Sequence, residues 1–71
     1  MAHREGYKGH EITVDTYRVG RGFRWGYQID GGEIREGRDR PLRNERIVLR
    51  EGISAAKEEI DRKISGGGVS T

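Results

Sequence analysis

The sequence predicts an α+β fold in which a three-stranded antiparallel β-meander packs against one C-terminal α-helix (βββα). Two apolar patterns support this fold. The first is strict alternation, the period of a half-buried strand, over Phe23, Trp25, Tyr27 and Ile29. The second is recurrence at spacings of three or four, the stripe of an amphipathic helix, over Leu49, Ile53, Ala56, Ile60 and Ile64. We expect these two faces to pack together, with Ile12, Val14 and Ile34 flanking them.

Three strands are expected before the helix. Residues 1–6 carry no pattern and are predicted to be a flexible N-terminus. A first strand is predicted at 8–18, where strand-favouring residues are frequent. The glycine-containing segment 19–22 supplies the turn into the second strand, which is the alternating aromatic stretch. After the glycines at 31–32, the short and charged segment 33–37 is predicted to be an edge strand.

The helix follows a linker at 38–43. Asn44 is expected to be its N-cap, because an asparagine side chain accepts hydrogen bonds from free amides of the first turn. The glycines after Ile64 are expected to end the helix. We therefore predict a single domain over 7–64 and a flexible C-terminal tail over 65–71.

Gly52 leaves two interpretations of the helical segment. A glycine inside a helix costs about 1 kcal/mol relative to alanine, so a break is one possibility. In that case residues 45–50 form a fourth strand and the helix begins at Glu51. We favour one long helix, because Leu49 belongs to the apolar stripe and Asn44 is placed to cap it.

Composition excludes several classes of protein. The 71 residues contain no cysteine, so disulfides and thiolate metal sites are ruled out. The longest aliphatic run is only Ile47–Leu49, which is far too short to span a membrane. No apolar leader is recognisable near the start, and we expect a soluble, cytoplasmic protein. The net charge of +2, from fourteen basic and twelve acidic residues, is weak evidence for a nucleic-acid partner.

No catalytic or metal-binding motif is present in the sequence. The two histidines, His3 and His10, lie far from any nucleophile motif, and with Glu5 and Glu11 they have no recognised ligand spacing. The segment beginning at Gly20 lacks the third glycine of a dinucleotide-binding loop and precedes a strand rather than a helix. We therefore expect a non-enzymatic protein with no cofactor, no metal and no small-molecule substrate.

Arginines provide one functional hypothesis, a nucleic-acid-binding surface. Arginine supplies eleven of the fourteen basic residues, and its planar fork suits phosphates, although the codon bias of a GC-rich genome would give the same composition. The candidate interaction residues are Arg18, Arg21, Arg24, Arg35, Arg38, Arg40, Arg43 and Arg46. If Arg18, Arg24 and Arg35 emerge opposite the helix, the sheet could lie against a phosphate backbone. The aromatic face is assigned to packing instead, because the helix has little else to bury against.

Protein–protein interaction or self-association is the competing hypothesis. The short edge strand and the small core make dimerisation plausible. Apolar residues outside the main stripe could form a contact patch, namely Val19, Leu42, Ile47 and Val48. The low net charge places an unknown protein partner, or a second copy of the chain, slightly ahead of nucleic acid.

Three segments together resemble small uncharacterised proteins of beta-proteobacteria. They are the stretch from Tyr7 to Val14 (YKGHEITV), the stretch GFRWGYQIDGG, and the stretch from Leu42 to Asp61. The resemblance covers about residues 7–64 and implies a sheet-plus-helix domain with no assigned activity, so it assigns no site residues. The predicted topology is also similar to the three-stranded DNA-binding domains of some integrases and plant transcription factors, at the level of fold alone.

Overall fold

A computed structural model describes residues 2–37 and 41–69 of the chain. The elements are β1 (Ala2–Tyr7), β2 (His10–Val19), β3 (Gly22–Ile29), β4 (Arg35–Glu36) and α1 (Glu45–Val69). The strands form one antiparallel sheet in the order β1-β2-β3-β4, and α1 packs across one face against β2 and β3. The protein therefore has the predicted α+β fold, with four strands of which three are long.

Strand β1 corrects the expectation of a flexible segment at residues 1–6. Ala2–Tyr7 pairs with β2 along its whole length, from Ala2 opposite Asp15 to Tyr7 opposite His10. The connection is a two-residue turn in which Lys8 has a φ of 48° and Gly9 a φ of 82°, the backbone of a type I′ hairpin. The first predicted strand, at 8–18, accordingly begins two residues later, and the domain begins before residue 7.

The hairpin between β2 and β3 forms as predicted, whereas β4 is shorter than predicted. Val19 pairs with Gly22 across the turn at Gly20 and Arg21. Beyond β3 the chain turns tightly, with the Gly32 amide donating to the Ile29 carbonyl at 3.0 Å, and pairing resumes only at Arg35–Glu36. Ile34 precedes this short strand and is 61% exposed, so the expectation that it flanks the core is wrong.

Helix α1 is continuous, which removes the alternative of a fourth strand at 45–50. Asn44 is the predicted N-cap, since its Oδ1 accepts the amides of Arg46 at 3.0 Å and Ile47 at 3.3 Å. The helix extends to Val69, past the end expected after Ile64, because the glycines there lower helix propensity but none removes a backbone donor as proline would. The predicted tail thus begins within the helix, and its last two residues lie outside the described ranges.

Gly52 lies where the helix approaches the sheet most closely. A β-carbon at this position would lie 2.7 Å from Val14 Cγ1 and 2.9 Å from Trp25 Cβ. The absence of a side chain allows α1 to pack directly over these two strands. This close approach explains a glycine in the middle of the helix.

The core forms between the sheet and α1. Its buried residues are Ile12, Val14, Tyr27, Val48, Ala56 and Ile60. Trp25, Ile29, Leu49 and Ile53 are partly buried against this cluster. Val48 is only 1% exposed, so it does not belong to the predicted contact patch. Ile64 is 48% exposed and lies beyond the sheet rather than in the core.

Candidate functional site

The strand register decides which arginines share a face of the sheet. Residues directly opposite each other in an antiparallel pair point to the same side. Arg18 lies opposite Phe23 and Arg35 lies opposite Tyr27, and both partners belong to the face that α1 covers. Only Arg24, which lies opposite Tyr17, is on the uncovered face. The expectation that Arg18, Arg24 and Arg35 emerge together opposite the helix is therefore wrong.

A different set of predicted arginines converges at one end of the molecule. We call this set the basic end: it consists of Arg18, Arg21, Arg43 and Arg46. A backbone bridge joins the two segments, with the Phe23 amide donating to the Leu42 carbonyl at 2.7 Å and the Leu42 amide to the Phe23 carbonyl at 3.1 Å. The bridge places the β2–β3 hairpin, which carries Arg18 and Arg21, beside the start of the helix.

Side-chain contacts hold the basic end in place. The guanidinium carbon of Arg18 lies 5.9 Å from the centroid of the Phe23 ring, within cation–π range. Thr16 donates its hydroxyl to Glu45 at 2.6 Å and so ties β2 to the first turn of α1. On the β1 side of that turn, Arg46 lines a shallow groove with Thr16 and Leu49. The basic end therefore lies beside the N-terminus of α1.

The arginines of the basic end lack ion pairs, as Arg4, Arg24 and Arg50 also do in the described part of the chain. Among the described lysines and arginines, the side chains within 4.0 Å of a carboxylate are those of Lys8, Arg35, Lys57, Arg62 and Lys63. Within residues 2–37 and 41–69, none of the four arginines of the basic end has such a partner. The guanidinium groups of this end are therefore not engaged in close ion pairs with the side chains that the structure describes, although the Glu45 carboxylate lies in the same first turn of α1.

The position of Arg43 and Arg46 opposes the helix dipole. They flank the N-cap Asn44, where the partial positive charge of the helix favours acidic side chains. Glu45 is the one acidic residue of the first turn. A favourable charge at a helix terminus contributes about 0.3–1 kcal/mol to helix stability, so a positive charge at the N-terminus is expected to cost a few tenths of a kcal/mol. Stability alone therefore does not account for arginines at these two positions.

The remaining predicted site residues do not join the basic end. Arg35 pairs with Glu59 at 3.4 Å, half-way along the helix. Arg24 lies on the uncovered face, and its Nε is buried with no hydrogen-bond partner among the described residues. Arg38 and Arg40 lie outside the described ranges.

The aromatic face is occupied by packing, as the sequence analysis expected. The Trp25 and Tyr27 rings stack at 5.6 Å with an interplanar angle of 26°. The Tyr27 hydroxyl donates to Glu59 at 2.6 Å, and burial together with this carboxylate raises the pKa of Tyr27 to about 12. The same hydrogen bond lowers the pKa of Glu59 below its ordinary value. These rings are therefore not free to stack on bases.

The opposite end of the molecule holds a polar network that the sequence did not indicate. We call it the clamped end: it consists of Glu5, Tyr7, Lys8, Lys57 and Asp61. The Tyr7 hydroxyl donates to both Asp61 oxygens at 2.9 and 3.0 Å, and the Lys8 ammonium donates to the same carboxylate at 2.6 Å. The ammonium of Lys57 lies 5.2 Å from the Tyr7 ring centroid and 3.0 Å from Glu5. Lys8 and Tyr7 lower the pKa of Asp61 by hydrogen bonding to its charged form.

The clamped end fixes β1 against the second half of α1. Tyr7 and Asp61 are 54 residues apart, so no local pattern could have revealed the contact. The only signal was that Tyr7 continues the alternation of His3 and Glu5, which would have placed all three on one face of a strand.

Other kinds of site find little support in the described residues. Within residues 2–37 and 41–69, no three His, Asp or Glu side chains are grouped so that they could hold a metal ion. Helix α1 lacks an apolar stretch long enough to cross a membrane. Comparison with protein-family models, curated proteins and solved structures gave no match to this chain. The similarity to beta-proteobacterial proteins stays a prediction, and the functional argument depends on the geometry.

Proposed function

We propose that this protein is a non-enzymatic nucleic-acid-binding module that contacts phosphate groups through its basic end. The observation that carries the proposal is the convergence of Arg18, Arg21, Arg43 and Arg46 without carboxylate partners among the described residues. An arginine fork donates two parallel hydrogen bonds to phosphate oxygens. Phosphate contacts position a protein on nucleic acid and supply most of its non-specific affinity.

The proposed contacts do not read base sequence. Trp25 and Tyr27 lie beneath α1, and Phe23 is half-buried with Arg18 over its ring. Without an exposed aromatic platform at the basic end, among the described residues, stacking on unpaired bases contributes little. Binding should therefore tolerate different sequences and depend strongly on salt. Such a partner is compatible with the cytoplasmic location predicted from the sequence.

Protein–protein interaction or self-association ranked slightly ahead of nucleic acid on the sequence, and its suggested patch is smaller in the structure. The patch loses Val48 to the core, which leaves the half-buried Val19, Leu42 at 36% and Ile47 at 48% exposure. Isolated exposed apolar residues are common on monomeric proteins. The arginines of the basic end, by contrast, lie on segments joined by the Phe23–Leu42 bridge. Two of them, Arg43 and Arg46, oppose the local helix dipole, and an anionic partner would relieve this repulsion.

Salt-dependent binding to a short fluorescein-labelled DNA duplex tests the proposal. If four arginines each neutralise one phosphate, log K should fall with log salt at a slope of about −3 to −4. Affinity should then drop about 10²-fold between roughly 50 and 200 mM salt. Fluorescence anisotropy measures both quantities.

Two double variants with the same change in net charge test which surface binds the DNA. Arg43→Gln/Arg46→Gln and Arg62→Gln/Lys63→Gln each lower the net charge from +2 to 0. The first pair lies at the basic end and should reduce the magnitude of the salt slope by about 2. The second pair lies on the other half of α1 and should leave the slope nearly unchanged. Equal losses from both pairs, or no binding by the wild-type protein at low salt, would refute the proposal.

A further inference from the structure

The uncovered face of the sheet carries a depression centred on Gly26. In the strand register, Gly26 lies between Asp15 of β2 and Glu36 of β4. Because Gly26 has no side chain, the sheet surface opens there into a cavity of about 190 Å³. The side chains around it belong to three strands and the segment before β4: Thr13, Asp15, Tyr17, Gln28, Ile34 and Glu36.

Neither space nor backbone geometry requires the glycine at position 26. Its φ is not in the left-handed region, and a β-carbon there would lie 3.5 Å or more from its nearest neighbours. That is ordinary van der Waals contact, unlike the 2.7 Å contact at Gly52. Glycine within a strand lowers stability relative to alanine and is often found where another molecule approaches the backbone. Gly26 therefore keeps open a space that the fold does not need.

The chemistry of the cavity suits a cation with an apolar stem. Neither Asp15 nor Glu36 has a basic partner within 4.0 Å among the described residues. The Tyr17 ring and Ile34, which is 61% exposed, add apolar surface to the wall. Burial raises the pKa of Tyr17, and so do the charge of the Glu36 carboxylate and its hydrogen bond with Tyr17, whereas the charge of Arg24 on the same face lowers it. Tyr17 is thus partly desolvated beside the Glu36 carboxylate.

The size of the cavity suits one side chain. Its volume is about 190 Å³. Pockets for whole small-molecule ligands usually measure about 300–1,000 Å³. A guanidinium group fits better than an ammonium, because its planar fork can donate to two carboxylates on opposite walls and stack on an aromatic ring.

We propose that this depression binds the side chain of an arginine carried by a basic segment of a partner protein. The guanidinium group donates to Asp15 and Glu36, and the aliphatic stem packs on Tyr17 and Ile34. This site is separate from the basic end and takes a partner of opposite charge. The protein could therefore hold a nucleic acid at one surface and a basic protein segment at another. The arginine site does not depend on the proposed nucleic-acid function.

Titration of the full chain with capped pentapeptides tests the arginine site. The probe is Ala-Ala-Arg-Ala-Ala, compared with the same peptide carrying lysine or the neutral citrulline. Amide shifts followed by NMR should map to Thr13, Asp15, Gly26 and Glu36, with arginine binding tighter than lysine and citrulline not binding. Equal binding of citrulline, or shifts confined to the basic end, would overturn the proposal.

Variants separate loss of the site from loss of the fold. Asp15→Asn/Glu36→Gln should weaken arginine-peptide binding at least 10-fold, whereas Glu33→Gln, outside the cavity, should leave it unchanged. Gly26→Ala should also weaken binding, and its melting temperature should be equal to or higher than that of the wild-type protein. Undiminished binding by Gly26→Ala or by the Asp15→Asn/Glu36→Gln variant would show that the depression is not the site.

Discussion

The clamped end and the basic end use the same kinds of side chain for different purposes. At the clamped end, Lys8 and Lys57 lie within 2.6 and 3.0 Å of carboxylates and also face the Tyr7 ring. At the basic end, Arg43 and Arg46 flank a helix N-terminus without a carboxylate partner in the described part of the chain. Cations that hold the fold together are thus separated from cations available to a partner. The net charge of +2 does not reveal this difference between the two ends.

The largest expected effect concerns the core beneath the clamped end. Ile60 is 1% exposed and lies between Glu59 and Asp61, the two acceptors of tyrosine hydroxyls. Ile60→Ala should lower the free energy of unfolding by about 2–5 kcal/mol, because it removes buried methyl groups and leaves a cavity. Urea denaturation followed by Trp25 fluorescence measures the change.

A matched variant at the basic end should behave differently. Ile47 is 48% exposed in the first turns of α1, so Ile47→Ala should change the free energy of unfolding by no more than about 0.5 kcal/mol. If Ile60→Ala and Ile47→Ala lowered the free energy of unfolding by similar amounts, the two ends would not differ in packing.

A smaller effect is expected from the hydrogen bond that fixes α1 to β3. Tyr27→Phe removes the donor that bonds Glu59 at 2.6 Å, and it should cost about 1.5–3 kcal/mol because the acceptor is charged. The pKa of Glu59 should rise toward its ordinary value of 4.5, because the Tyr27 hydroxyl is the main cause of its depression. Urea denaturation and NMR titration of the carboxyl carbon measure the two changes.

The raised pKa of Tyr27 predicts how the stability of the protein changes at high pH. The folded-state pKa of about 12 exceeds the ordinary value of 10.0, so the unfolded chain ionises first. The stabilisation is complete below pH 10 and is lost as the pH rises from about 10 to about 12. Tyr27→Phe should lack this component of alkaline destabilisation. A variant and a wild-type protein with the same stability profile across that range would contradict the assignment.

The smallest expected effects compare single cations at the two ends. Lys57→Gln removes the ion pair with Glu5 and the contact with the Tyr7 ring, and should cost about 0.2–1 kcal/mol. Arg46→Gln removes a charge that opposes the helix dipole. It should leave the free energy of unfolding unchanged or raise it by a few tenths of a kcal/mol, since charges at helix ends contribute about 0.3–1 kcal/mol. Thermal unfolding at low salt resolves the opposite signs. A destabilising Arg46→Gln would mean that this arginine serves the fold.

The elements that could be predicted from the sequence are those that bury apolar side chains in a local, periodic pattern. Strands β2 and β3 and helix α1 follow from alternation and from a helical stripe, and the Asn44 cap lies where its residue type indicated. Strand β1 escaped prediction because its inward residues are His3, Glu5 and Tyr7, which are half-buried through polar contacts. The contacts of Glu5 and Tyr7 reach α1 residues more than fifty positions away.

The placement of the arginines shows a similar limit. The two-residue turn after Val19 determines that Arg18 lies opposite Phe23, so its face could have been worked out from the turn length. The face of Arg35 could not, because the irregular path of residues 32–34 decides where β4 pairs. The proximity of the segments that carry Arg18 and Arg43 depends on the Phe23–Leu42 bridge, which no pattern in the sequence indicates.

The most direct test of the central claim is an NMR titration with duplex DNA that follows the arginine Nε–Hε signals. We predict salt-sensitive shifts of Arg18, Arg21, Arg43 and Arg46, with the ion-paired Arg35 and Arg62 unaffected. Shifts spread evenly over all arginines, or a surface that does not respond to DNA at low salt, would contradict the division between cations that hold the fold and cations that bind a partner.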